Sequence, residues 1–273
     1  MHVWSLRAIF IVVALGESVW AGLFYFAPGL ALGALGRSLV DPVIARQLPL
    51  YLASCALAYC LAAVDPIRYA RILWISVIAR LVDIAVAGVD WRAGALSTTA
   101  FIWIIAIEGA VVAVSCVILR PVARTEKPGA RDPGDRGLTI ALRCFGGLEL
   151  FWFVASTIFV QIGARLLQWK LQDPYTTQQQ GIALLVIGLV SLLAASDVAR
   201  YRVFVWVPIF SQLVGVANSF NEIRLGSITW SIAAVQWTIE LSIVFCFAWF
   251  SRAYLKRNVA VVSDLTNESR AGL

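Results

Sequence analysis

Long apolar stretches separated by short polar breaks dominate the chain. Eight of them lie near 6–27, 48–64, 72–89, 96–119, 139–161, 181–196, 203–220 and 228–251. Each is long enough, or nearly so, to cross a hydrocarbon core of about 30 Å; the second and sixth are the shortest. Strand-period alternation is absent, and only helices or closed barrels span lipid. The pattern predicts an all-α integral membrane protein with eight transmembrane helices. The first stretch is full length and has no small-residue cleavage site, so it is expected to remain a span and not a signal peptide.

Composition sharpens this picture. Of 273 residues, 60% are hydrophobic and 14% charged, against about a quarter charged in ordinary globular domains. Lys and Arg are distributed unevenly between the two sides. One side carries thirteen: Arg7, Arg68, Arg71, Arg120, Arg124, Lys127, Arg131, Arg136, Arg200, Arg202, Arg252, Lys256 and Arg257. The other carries six: Arg37, Arg46, Arg92, Arg165, Lys170 and Arg224. This bias predicts a multi-pass protein of the cell (inner) membrane with both termini cytoplasmic. It also accounts for the +6 net charge without a nucleic-acid partner.

The five cysteines fall within spans and form no CxxC, so neither a disulfide framework nor a thiolate metal site is expected. His2 is the only histidine, which excludes paired haem ligands, di-iron histidine boxes and a His general base. No cofactor is expected.

The polar breaks are not random. "LAAVDPIRYARILW" (61–74) returns as "LAASDVARYRVFVW" (193–206). Sliding the chain by 132 residues aligns 17–120 with 149–252 and gives 25 identities in 104 positions, where composition alone gives about eight. The pairs include Glu17/Glu149, Trp20/Trp152, Asp41/Asp173, Pro42/Pro174, Gln47/Gln179, Arg92/Arg224, Gly94/Gly226 and Glu108/Glu240. With four helices per half, both halves enter the membrane in the same sense, so the repeats are parallel. The expected organisation is a first four-helix repeat (1–120), a cytoplasmic linker (121–137), a second four-helix repeat (138–257) and a cytoplasmic tail (258–273). The linker, within "RPVARTEKPGARDPGDRG", is charged and rich in Pro and Gly.

Most repeated polar residues have structural roles. Asp-Pro at 41–42 and 173–174 reads as a helix start, with 28–47 and 160–180 lying along the outer interface. In the repeated turn, Asp65 is expected to cap, Arg68 to snorkel to headgroups, and Tyr69 and Trp74 to anchor the interface.

The glutamates resist that treatment. Glu17, Glu108, Glu149 and Glu240 sit near the middles of helices 1, 4, 5 and 8. Exposing four ionised carboxyls to lipid at that depth would cost on the order of 10 kcal/mol. They are expected to face the bundle interior, neutralised by protons or hydrogen bonds. Trp20 and Trp152 follow their glutamates by three residues and share their helix face, as Gln236 and Trp237 do with Glu240. Arg80 and Asp83 lie one turn apart on helix 3, and their aligned positions hold Gln212 and Gly215. The four acids with Trp20, Trp152, Arg80, Asp83, Gln212, Gln236 and Trp237 form the candidate site, expected to converge on one cavity between the halves. Five negatives against one positive need protons, a bound cation or water.

Three functions fit. In the first, a lipophilic or cationic small molecule is bound or transported, with Glu17 and Glu149 exchanging a proton for it under the influence of Arg80. In the second, a membrane-embedded isomerase or cyclase acts on a lipid or isoprenoid, with Glu as general acid and Trp stabilising a carbocation. In the third, the chain is a non-catalytic subunit or assembly factor of a membrane complex, and the acids are interhelical glue. "FAPGLALGALG" (26–36) and "SLLAASDVARYR" (191–202) resemble text of the small four-helix bacterial membrane proteins of the DoxX-like and BphX-like kind. That resemblance, one copy per half, implies a helical bundle. Some such proteins are tied to quinone-linked respiration or degradation clusters, and no catalytic residue carries over.

Overall fold

A computed structural model describes residues 3–39, 42–122, 136–161, 174–224, 226 and 228–271, with side chains described outside 42–44, 121–122 and 253–271. The linker between 123 and 135, Asp41, Asp173 and most of 160–173 therefore lie outside the described residues.

Among the described residues ten α-helices follow in order: α1 (Val3–Phe26), α2 (Pro28–Ala34), α3 (Pro42–Val64), α4 (Arg71–Arg92), α5 (Thr98–Val122), α6 (Arg136–Phe153), α7 (Pro174–Ser196), α8 (Val198–Tyr201), α9 (Trp206–Arg224) and α10 (Trp230–Ala271). A π-turn, Val154–Ile158, extends α6, and a 3-10 turn, Arg202–Val205, joins α8 to α9. Eight helical segments are long and apolar enough to cross a bilayer, from Val3–Phe26 to Trp230–Arg252. They match the eight apolar stretches, because a run that must satisfy its backbone internally in lipid has no option but helix. No strand occurs among the described residues.

Local chemistry explains several boundaries. Pro42 and Pro174 open α3 and α7, where a missing N–H costs nothing. Residues 28–34 are a short helix with Pro at its start, and 42–47 already belong to α3, so 28–47 is not one interfacial segment. Gly94 and Gly226, paired by the 132-residue offset, close α4 and α9 with φ of 73° and 71°. Their N–H groups bond Trp91 O at 3.0 Å and Ile223 O at 2.9 Å, the same turn in both places. Only glycine adopts that left-handed conformation without strain.

The packing crosses the middle of the chain. Within each half, the first helix lies along the second (α1 on α3, α6 on α7) and the third along the fourth (α4 on α5, α9 on α10). The third helix also packs on the second helix of the other half: α4 on α7, and α9 on α3. Helices α3 and α7 meet each other between them. One buried apolar cluster runs through both halves, including Phe10, Tyr59, Leu73, Phe145, Ile187 and Phe204.

The repeated turns meet at one end of this arrangement. Asp197 caps α8, accepting from the backbone N–H of Arg200 (3.0 Å), whereas Asp65 does not cap α4, whose N-cap is Ala70, and accepts from the N–H of Arg68 (3.2 Å) within the turn that precedes it. Arg68 does not reach outward to headgroups. Its Nη2 donates to Ala199 O at 3.0 Å, while Arg200 donates from Nε and Nη2 to Arg68 O at 2.8 and 2.6 Å. Tyr69 is likewise no interface anchor; it is buried against Tyr201 and edge-on to Phe204, with centroids 5.9 and 5.0 Å away. Bare carbonyls at two facing helix ends are better acceptors for these guanidinium groups than solvent. Trp74 and its counterpart Trp206 remain on the outer surface.

Candidate functional site

The expected single cavity is two separate centres. The first is built by α1, α4 and α5. Arg80 Nη2 donates to Glu17 Oε1, and Nη1 donates to Glu108 Oε1 at 2.9 Å. One guanidinium thus ties three helices, its rigid fork holding a carboxylate on each arm. Asp83, a turn further along α4, accepts instead from Gln179 Nε2 of α7 at 2.7 Å. Arg80 therefore pairs with both first-half acids, and the role of tuning Glu149 is not where its side chain lies.

The second centre is a partly open cavity of about 940 Å³ lined by α6, its π-turn, α7, α9 and α10, with α3 along one side. Glu149, Trp152, Gln212, Gln236 and Glu240 all line it. The 132-residue offset pairs Glu149 with Glu17 and Glu240 with Glu108, but Gln212 stands in place of Arg80. Glu240 Oε1 accepts from Gln236 Nε2 at 3.0 Å, and its buried Oε2 has no hydrogen-bond partner among the described residues. Glu149 is 6% exposed and no hydrogen bond links its carboxyl to any described residue. Gly215, aligned with Asp83, makes room here: a Cβ on it would lie 2.5 Å from Glu240 Oε1.

Two expected residues face elsewhere. Trp20 makes no hydrogen bond with Glu17; its ring lies 5.8 Å from that of Phe24 and packs on an apolar cluster with Leu32 and Leu48. Trp237 turns from Glu240 and donates to Ser219 Oγ at 2.6 Å, stacked on Phe220 at 4.2 Å. A shared helix face brings an indole near a carboxyl without dictating its rotamer, and each ring found a better partner.

Other residues come into view only in three dimensions. Glu222 of α9 is 3% exposed and accepts from Asn218 Nδ2 (2.7 Å) and from Gln47 Nε2 of α3 (3.2 Å). Gln47 and Gln179, aligned by the offset, thus each donate to an acid on the third helix of the other half. Tyr51, Gln180, Ser211 and Asn218 also line the cavity. The available signal was the Gln47/Gln179 match together with the acidic pair Asp90/Glu222 at the same offset.

Chemically the centres differ. The first sets one guanidinium between two carboxylates, with Arg80 Nε and Glu108 Oε2 buried without a hydrogen-bond partner among the described residues. The second offers carboxylates, amides and a hydroxyl-bearing wall within an apolar shell, and no Lys, Arg or His lines it among the described residues. No group of three or more His, Cys, Asp or Glu fit to hold a metal ion occurs among the described residues. Its volume is that of a small-molecule pocket.

Fold and site together define a polytopic helical membrane protein with an acid-lined cavity among its helices. Comparison with protein-family models, curated proteins and solved structures finds no match for the chain.

Proposed function

We propose that the protein binds and carries a lipophilic cation through the second-half cavity, exchanging it for protons at Glu149 and Glu240. The observation that carries this reading is a cavity with two glutamates and, among the described residues, no basic side chain on its wall, Glu149 having no hydrogen bond to any described residue. Carboxylates in such surroundings need a counter-charge, and either a proton or a ligand cation supplies it. The apolar walls suit a ligand with a hydrophobic body, and Trp152 offers an aromatic surface to a cation. In this reading the chain is a duplicated four-helix unit in a cell membrane, both termini cytoplasmic. The first copy keeps its acids for structure and the second for exchange.

The test is uptake of a lipophilic cation such as ethidium into proteoliposomes under an imposed proton gradient. Glu149→Gln and Glu240→Gln are expected to abolish gradient-driven uptake and the proton release that accompanies binding. Uptake by Glu149→Gln at the unmodified rate would refute the exchange. A second reading draws on the same wall: two carboxyls beside an indole suit acid–base isomerisation of a lipid. There, lipid extracts from cells with and without the protein should differ by one product.

A further inference from the structure

The molecule holds two copies of one acid pair, and only one pair is filled. In the first half the Arg80 guanidinium bridges Glu17 on α1 and Glu108 on α5. At the same offset the second half has Glu149 on α6, Glu240 on α10 and, for Arg80, the shorter, uncharged Gln212. All three second-half residues line the 940 Å³ cavity. Space was created beside the acids as well, since Gly215 replaces the position of Asp83 next to the Glu240 carboxyl. The acceptor vacated by this exchange is Glu149, which makes no hydrogen bond with a described residue although 6% exposed; Glu240 Oε2 is unpartnered, as Glu108 Oε2 is in the first half.

We infer that the cavity binds a ligand headed by a guanidinium or amidinium group, which bridges Glu149 and Glu240 as Arg80 bridges Glu17 and Glu108. The inference rests on the cation-binding reading above and narrows it to one head-group chemistry. A planar fork presents N–H pairs on separate edges and serves carboxylates on two helices at once. A quaternary ammonium has no N–H to give and leaves the carboxylate oxygens unsatisfied. Leu50, Leu184, Val235 and Ile239 line the cavity around the acids and accept an alkyl or aryl body.

The experiment is calorimetric titration of the full-length protein in lipid nanodiscs with three probes of equal chain length: n-octylguanidinium, n-octyltrimethylammonium and n-octanol. The guanidinium is expected to bind at least about tenfold more tightly than the quaternary ammonium. Equal affinity of the two cations would overturn the head-group assignment and leave cation binding standing. Binding of octanol as tight as either cation, or no binding by any probe, would overturn both. Gln212→Arg supplies a tethered guanidinium; it is expected to abolish octylguanidinium binding with thermal unfolding at or above that of the unmodified protein, whereas Gln212→Met retains binding. Undiminished octylguanidinium affinity in folded Gln212→Arg would overturn the placement.

Discussion

At the scale of single residues, the exchange of Arg80 for Gln212 at an aligned position separates a centre bridged by a guanidinium from one that is not. Arg80 is shared by two acids at the cost of desolvating itself, so its removal leaves carboxyls buried without their cation. Arg80→Ala is expected to cost about 3–5 kcal/mol, read by thermal or denaturant unfolding. Adding Glu17→Gln and Glu108→Gln should recover part of that loss, because neither of the two bridged carboxylates is then left without its cation. Glu149→Gln, which breaks no hydrogen bond to a described residue, should leave unfolding unchanged or raise it. A drop as large as that of Arg80→Ala would show Glu149 to be structural. Gly215→Ala tests the room beside Glu240. Its methyl would meet Oε1 at 2.5 Å. A side-chain end can move aside, so the protein is expected to fold while cation affinity falls about tenfold.

Helices and turns show why one half holds a cavity. The π-turn at Val154–Ile158 has no counterpart in α1, whose aligned residues 22–26 stay α-helical. It brings Ala155 and Ser156 to the cavity wall, a placement in keeping with the frequent location of π-bulges at functional sites. The crossing of α6 and α7 is also close. Gly146 and Gly188 face each other, and a Cβ on Gly188 would lie 3.0 Å from Gly146 O. The aligned positions in α1 and α3 hold Ala14 and Ala56. A backbone carbonyl gives way less easily than a side chain, so Gly188→Ala is expected to destabilise by about 1–3 kcal/mol in an unfolding titration. Ala56→Gly should cost less. The spans were legible in the sequence because lipid demands continuous apolar runs, and Gly94 and Gly226 because a left-handed turn demands glycine. Asp65 was legible as a local acceptor for a backbone N–H, but the turn that follows it holds α4 back to Arg71, out of its reach. The partition of Glu17, Glu108, Glu149 and Glu240 into two centres was not. It depends on which helices touch, and a repeat offset pairs positions without saying which half a side chain reaches. Glu222 escaped notice because it lies near a helix end, where an acid looks solvated, until α3 brings Gln47 against it.

For the whole molecule, interlocking decides how the halves depend on each other. In the expected organisation each half is a four-helix unit, yet α4 packs on α7 and α9 on α3. Arg68 and Arg200 add reciprocal hydrogen bonds to backbone carbonyls across the same boundary. The cavity itself borrows Gln47, Leu50 and Tyr51 from the first half. A half expressed alone would expose the faces of its second and third helices that the other half covers, polar Gln–acid contacts included. Lipid replaces apolar packing but offers no partner for Glu222 or Asp83. Cutting the chain between 123 and 135 therefore gives fragments that are expected to be degraded or aggregated when produced singly and to co-purify in equal amounts when produced together, one carrying the affinity tag. The rejoined pair should bind cations like the intact chain, since the peptide link contributes effective concentration and no contact described here. A second half that is monodisperse and binds cations on its own would show that the cavity needs nothing from α3.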